Sequence, residues 1–334
     1  MIKQTARSKG ILGALILLHV LSVSGVLYLT LARSDLSLSG MESRRRIAVS
    51  LADLSDEYNQ VLLQNIQSLV EARGDLVLTR DPGGDPEQQE RQIQELLTMG
   101  VDTLVLSPVD PERLSYLTEL SGEAGAKVVL LEACQNALPE GEKAQAMEQV
   151  SHSVCSDDVG AGALLGDFLL TENPSARVLL LGEEGFSRSE LRISGFLNAL
   201  EGSDAAVAGE ILLKDGSRSA AMEAVEEVLS SGISFDTVFC SSDPYGIGCC
   251  AALRHNARSS AVRILSVGGS PEGKRMTAEG HFLAESLLFP SLTARYTVEY
   301  LYEESPYPDL RERVAASALV SRYNVRSYDL DTWE

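Results

Sequence analysis

Residues 46–66 read RIAVSLADLSDEYNQVLLQNI, which is an unbroken apolar strand, a polar loop and a helix whose apolar residues recur at helical spacing. The same alternation of a short β-rich run with a helical segment continues through the rest of the chain. This alternation is typical of parallel α/β sheets, in which each helix connects two strands. From residue 46 onward, the sequence therefore predicts two doubly wound parallel-sheet lobes.

Further strands are expected where apolar β-rich runs recur, at 75–80, 101–108, 126–133, 176–182, 207–213, 236–241, 262–267 and 282–288. Helix starts are indicated by a capping residue followed by proline, at Asp85-Pro86, Asp110-Pro111, Asp243-Pro244 and Ser270-Pro271. In open α/β sheets, ligands bind at the loops that leave the carboxyl ends of the strands. The expected binding site is therefore the cleft between the two lobes.

Charge is distributed unevenly along the chain. The 334 residues include 28 Lys and Arg and 48 Asp and Glu, for a net charge of −20. The first 46 residues alone carry +5, so the rest carries −25. A body this acidic repels phosphate backbones, which argues against binding to nucleic acid.

Residues 11–32 form a stretch of 22 residues without a charge, preceded by the basic segment 1–10. A helix of that length spans a hydrocarbon core of roughly 30 Å, so one N-terminal transmembrane helix is predicted, followed by a polar tether at 33–45. The alternative is a cleaved signal peptide, with Thr30 and Ala32 before the cut. Both interpretations place the body outside the cytoplasm, either extracellular or periplasmic.

The cysteines and the common catalytic motifs indicate whether the chain has a metal site, a disulfide or catalytic activity. None of the five cysteines has CxxC or Cys/His metal spacing, so no metal site is predicted. A disulfide between Cys134 and Cys155 is one option, because both follow strands expected to be neighbours, whereas Cys249 and Cys250 are expected to be buried thiols. The chain has no GxSxG, HExxH or GxxxxGK[ST] motif, so neither an enzyme nor a cofactor is expected.

Eight short motifs follow one another along the body. They are the opening stretch 46–66, GVDTLVLSPVDPE (100–112), AGAKVVLLEA (124–133), SDDVGAGALLGDFL (156–169), Arg192 to Phe196, VFCSSDPYGIGCCAAL (238–253), ILSVGGSPEG (264–273) and VSRYNV (320–325). In this order they resemble the type I periplasmic binding proteins, in particular the ribose- and galactose-binding group. The resemblance covers residues 46–325.

The resemblance implies two lobes joined by a hinge of three crossing strands, which close on a ligand. The crossings would fall near Ser156, Leu288 and Ser317. Lobe one would consist of 46–155 plus 289–316, and lobe two of 157–287 plus 317–330.

The resemblance also implies which residues bind the ligand. The candidates are Asp56, Tyr58, Ser107, Glu132, Ser156, Asp157, Arg192, Ser242, Asp243 and Gly268. Arg192 matches the ligand-binding arginine of the family, whose fork of donors suits two oxygens of a sugar or carboxylate. Asp243 could instead cap the helix that follows it. The expected stacking aromatics are Tyr58, Phe186 and Tyr245, since the only tryptophan, Trp333, stands beyond the last motif.

Several positions depart from the family pattern and leave the ligand open. An Asp-Arg pair is replaced by Glu132-Ala133, an amide by Ser242, an acid by Gly268 and a polar residue by Leu288. The expected function is that of a solute-binding protein that delivers a small polar ligand of carbohydrate type to an ABC transporter permease. Two alternatives remain: a receptor component that signals to a membrane sensor kinase, a histidine kinase, and a degenerate binding protein that acts as an interaction module.

Overall fold

The computed structural model describes residues 44–133, 150–185, 187–256 and 261–333. The predicted membrane span at 11–32, Cys134 and Phe186 lie outside these residues. Among the described residues, no helix has both the length and the apolar character needed to cross a membrane. Residues from Arg46 onward form one structural unit.

A six-stranded parallel sheet is built from the first five strands of the body and one late strand, and we call this sheet with its helices lobe one. Its strands in chain order are β1 (Arg46–Ser50), β2 (Leu76–Arg80), β3 (Thr103–Leu106), β4 (Lys127–Leu131), β5 (Val150–Ser156) and β11 (Glu312–Ala315). In space the order is β11-β5-β4-β3-β1-β2. The helices are α1 (Glu57–Glu71), α2 (Pro86–Thr98), α3 (Leu114–Glu123) and α9 (Pro290–Leu301).

A second sheet of six strands forms lobe two. Its strands are β6 (Arg177–Glu183), β7 (Ala206–Leu213), β8 (Thr237–Cys240), β9 (Arg263–Gly268), β10 (Ala284–Leu287) and β12 (Ala318–Ser321), in the spatial order β12-β10-β9-β8-β6-β7. Only β12 runs antiparallel to its neighbour. The helices are α4 (Asp158–Glu172), α5 (Ser187–Leu200), α6 (Arg218–Ser231), α7 (Asp243–His255) and α8 (Pro271–Ala278).

The chain passes between the sheets at three places. It leaves β5 for α4, leaves β10 for α9, and leaves β11 for β12. The two α/β lobes and all nine strands predicted from apolar runs are present. The central strands β3, β8 and β10 are wholly buried, which is why their sequences lack the alternation of half-exposed strands.

The predicted helix starts were partly right. Asp85 accepts hydrogen bonds from the backbone N–H groups of Glu87 and Gln88, and Ser270 accepts one from Gly273. Asp110 caps a short 3₁₀ turn before α3. At α7 the capping position is held by Ser242, and Asp243 is the first helical residue, so the cap interpretation of Asp243 was wrong.

Three cysteines of lobe two, Cys240, Cys249 and Cys250, are buried free thiols, as predicted for the last two. Cys155 is disulfide-bonded. The partner considered for it, Cys134, lies outside the described residues.

Two glycines let α4 and α5 touch backbone to backbone. A Cβ atom at Gly162 would lie 1.9 Å from the carbonyl oxygen of Arg192, and one at Gly195 would lie 2.0 Å from that of Val159. No side chain fits at either position without moving a helix. The close contact brings the first residue of α4, Asp158, next to the arginines of α5.

Replacing Gly162 with alanine should therefore destabilise the chain by about 1–3 kcal/mol, because the new methyl group overpacks the α4–α5 contact. The matched control is Gly209→Ala in β7, where a Cβ atom would lie 3.4 Å from the flexible end of Leu179. Urea unfolding of both variants measures the difference. Equal free energies of unfolding for the two would contradict this account of the helix pair.

Candidate ligand-binding site

Tyr58, in the first turn of α1, lies where the two lobes meet. Its hydroxyl donates a hydrogen bond of 2.6 Å to Oε1 of Glu132, and it lies 2.7 Å from Oγ of Ser156 and 3.4 Å from Oγ1 of Thr293. Burial raises the pKa of the phenol, and the Glu132 carboxylate raises it further, so the group stays protonated. Tyr58 thus joins the ends of β4 and β5 to the start of α9.

The backbone of Glu132 adopts a conformation that is rare for residues other than glycine. Its φ is 53°, in the left-handed region, at a cost of about 1–3 kcal/mol for a residue other than glycine. Its Oε2 accepts from the backbone N–H of Ser156 at 2.9 Å, and its Oε1 accepts from the Ser156 hydroxyl at 3.0 Å. These bonds and the bond from Tyr58 offset the cost and fix the carboxylate where the lobes meet.

A buried acid in lobe two holds two arginines of α5. Asp158 accepts from Nε of Arg188 at 2.9 Å and from Nε of Arg192 at 2.6 Å. All three residues are 5% exposed. Burial opposes ionisation of Asp158, but the two guanidinium groups outweigh it and hold the pKa of Asp158 below its ordinary value. Burial likewise opposes the charge of Arg188, yet Asp158 and Glu132 keep its pKa raised.

Arg188 also reaches across to lobe one. Its Nε lies 3.7 Å from Oε2 of Glu132, and its guanidinium carbon lies 4.8 Å from the centre of the Tyr58 ring. Such a cation over an aromatic face is attracted by the ring, more strongly where water is excluded. Nη2 of Arg188 is buried and has no hydrogen-bond partner among the described residues. A buried donor without an acceptor costs about 1–3 kcal/mol, so an acceptor that reached this atom would stabilise the site.

Two further carboxyl groups approach the site from opposite lobes. Asp56 caps α1 by accepting from the N–H of Tyr58, and Glu183 ends β6. Loss of hydration raises the pKa of Asp56, although its side chain still reaches solvent. Burial also raises the pKa of Glu183, and the charge of Asp56 contributes. Two carboxyl groups from different lobes thus lie close enough to influence each other at this edge of the cleft.

Arg192, the arginine predicted to bind ligand, donates hydrogen bonds to two residues of lobe two. Besides its bond to Asp158, its Nη1 donates to the carbonyl oxygen of Ser241 at 2.7 Å. The side chain is therefore fixed in orientation, and its neighbour Arg188 makes the contact with lobe one.

Asp243 and Gly268 form one buried unit. The Asp243 carboxylate accepts from the Ser266 hydroxyl at 2.8 Å and from the backbone N–H groups of Gly269 and Ser270 at 3.1 and 2.9 Å. A Cβ atom at Gly268 would lie 2.3 Å from Oδ2 of Asp243. The carboxyl group of Asp243 therefore occupies the space of an acidic side chain at position 268, and it is 2% exposed.

Other predicted residues lie at strand ends but are used locally. Ser107 is buried, and its carbonyl oxygen accepts from Nε2 of Gln89 at 2.9 Å. Asp157 caps α4 by accepting from the N–H of Gly160. Ser242 is half-buried at the start of α7. Tyr245 is fully buried and donates to the carbonyl oxygen of Asp215, so its prediction as a stacking residue was wrong.

Sequence reasoning missed three residues of the cleft: Arg188, Asp158 and Trp333. The two arginines stand four residues apart, which places them on one face of α5, and this spacing could have indicated Arg188. No local signal indicated Trp333, which packs against Tyr58 with 5.6 Å between ring centres. No cluster of three or more possible metal ligands occurs in the part of the chain that the structure describes.

Comparisons with known proteins agree with this architecture. A family model described as periplasmic binding protein domain matches residues 47–304. The ribose import binding protein of Bacillus subtilis is 23% identical over 265 residues, which cover 79% of this chain and 82% of that protein. The Caulobacter myo-inositol binding protein, solved with myo-inositol, superposes with a TM-score of 0.76 at 20% identity, over 86% of this chain and 96% of that one. An ABC transporter solute binding protein from Bacillus halodurans, also with myo-inositol, gives 0.75 at 20% identity, over 85% and 97%.

Glu285 offers a test of the buried unit around Asp243. It is fully buried, and burial followed by the charge of Asp243 raises its pKa well above 4.5. Because the folded-state pKa is raised, the contribution of Glu285 to stability falls as pH rises above 4.5, by about 1.4 kcal/mol per pH unit until the folded-state pKa is reached. Glutamine keeps an acceptor for the Gly269 N–H and cannot ionise.

We expect Glu285→Gln to match the parent chain in stability near pH 4.5 and to exceed it at pH 8. Urea unfolding at a series of pH values measures this, with exposed Glu223→Gln on α6 as the control for loss of one carboxyl group. A variant less stable than the parent at pH 8 would show that Glu285 is needed in its charged form.

Proposed function

This chain belongs to the periplasmic binding protein family, and from that premise we propose that it is an extracytoplasmic solute-binding protein that closes its two lobes on a small sugar or polyol. We further propose that it delivers this ligand to an ABC transporter. The names of its relatives support the ligand class, since they are described as binding ribose and myo-inositol.

The observation that carries the proposal is the unpartnered Nη2 of Arg188. This side chain joins the two lobes, and its Nη2 is a buried donor without a hydrogen-bond partner among the described residues. A water or a ligand oxygen would accept a hydrogen bond from this donor. A ligand oxygen that did so would also stabilise the closed arrangement of the lobes. The same guanidinium lies over the ring of Tyr58, an aromatic residue of the cleft.

The charges of the site favour a neutral, hydroxyl-rich ligand over an anion. Arg188 and Arg192 are already balanced by Asp158 and Glu132. Asp56 and Glu183 add acceptors on opposite sides. A hydroxyl group can accept from Arg188 while it donates to a carboxylate, whereas an added carboxylate would face both acids.

One observation favours the alternative of an interaction module without a ligand. Tyr58, Glu132 and Arg192 have hydrogen-bond partners within the chain, so much of the cleft is satisfied without a ligand. Three positions where the family pattern has polar side chains also carry an apolar residue or glycine here, at Ala133, Gly268 and Leu288. In this alternative, the lobes would close without a ligand, and the function of the chain would be to bind a protein partner.

Thermal unfolding of the full chain against sugars, polyols, nucleosides and amino acids separates the two. A ligand at 100 times its Kd should stabilise the folded chain by about 2.7 kcal/mol. Arg188→Met should abolish that shift, and Arg188→Lys, which keeps the charge but not the fork, should reduce it. Arg254→Met, an exposed position on α7, is the matched control. No shift with any compound would favour the interaction module.

A further inference from the structure

The chain beyond β12 runs back along lobe two. After a 3₁₀ turn at Val325–Ser327 it continues as residues 328–333, which we call the strap. Fully buried Lys274 of α8 donates through Nζ to the carbonyl oxygens of Asp329 and, at 2.5 Å, Thr332. Arg275 binds Asp331 at 3.0 Å. The strap is thus anchored to lobe two by backbone contacts to a buried cation.

The strap places Trp333 against lobe one. Its ring centre lies 5.6 Å from that of Tyr58 at an interplanar angle of 76°, and the residue is only 9% exposed. Edge-to-face aromatic pairs of this kind are favourable beyond the area they bury. The two ends of the strap therefore bind different lobes, Lys274 in one and Tyr58 in the other.

This arrangement constrains lobe motion. If the lobes separate, Trp333 must leave Tyr58 or the backbone of the strap must leave Lys274. The indole N–H of Trp333 is buried without a partner among the described residues, which is unfavourable. The contact of Trp333 with Tyr58 is therefore the weaker of the two attachments of the strap. Opening is therefore expected to break the Trp333 contact first.

We propose that the strap is a tie between the lobes, in which Trp333 is a positioning residue that acts through Tyr58 to hold the closed arrangement. The tie is independent of which ligand binds in the cleft, and it is tested on the ligand-free full chain. It makes opening of the lobes and release of the strap one event.

Trp333 is the single tryptophan of the chain, so tryptophan fluorescence reports on the strap alone. Acrylamide should quench it several-fold less in the native chain than in urea. Lys274→Met should raise quenching of the folded chain toward the urea value, because the strap loses its anchor. Lys214→Met, at an exposed position in lobe two, is the control and should leave quenching low.

A distance measurement between the lobes tests the tie itself. Spin labels at Gln64→Cys on α1 and Glu227→Cys on α6, both exposed, report the lobe separation by pulsed electron resonance. Trp333→Ala should lengthen and broaden the distance distribution, whereas Trp333→Phe, which keeps a ring against Tyr58, should stay close to the parent.

The proposal is overturned if Trp333→Ala and Lys274→Met both keep the parent distribution, even where Lys274→Met raises quenching. It is also overturned if Trp333 in the folded parent is quenched as readily as in urea. Circular dichroism confirms that each variant is folded. Since no ligand is added, none of these outcomes depends on the proposed transport function.

Discussion

The arrangement of the two lobes depends on the contacts that the side chain of Tyr58 makes. Its hydroxyl binds Glu132 and lies next to Ser156 in lobe one, the guanidinium of Arg188 from lobe two lies over its face, and Trp333 packs against it. One buried aromatic residue therefore joins two sheets and the segment that follows the last strand. Because its pKa is raised, the phenol stays a neutral donor to the Glu132 carboxylate.

Around this ring, charged groups are compensated within the chain. Asp158 and Glu132 balance two arginines that would otherwise be costly to bury, and the close α4–α5 contact at Gly162 brings Asp158 next to both arginines. Asp243 fills the space beside Gly268. Binding specificity in such a site depends on the few groups left unsatisfied, because a ligand gains most where it replaces a missing partner. Among the described residues of this cleft, two such groups are Nη2 of Arg188 and the indole N–H of Trp333.

The fold could be read from the sequence because each apolar run is short, bounded by turn residues and followed by helical spacing, as in 46–66. The sequence predicted only part of the candidate site. The family resemblance indicated Tyr58, Glu132 and Arg192 as site residues, but burial of Tyr245 depends on packing that no local pattern reports. Trp333 reaches Tyr58 from 275 residues away in sequence, through an anchor on Lys274. Such a long-range contact leaves no periodic signal.

Saturation-transfer difference NMR of the full chain with a pooled mixture of pentoses, hexoses and inositols tests the central claim most directly, which is that the cleft binds a neutral hydroxyl-rich ligand at Arg188. The account predicts transfer to the protons of at least one compound in the parent chain and its loss in Arg188→Met, with Arg254→Met unchanged. Equal transfer in the parent and Arg188→Met, or none in the parent, would contradict it.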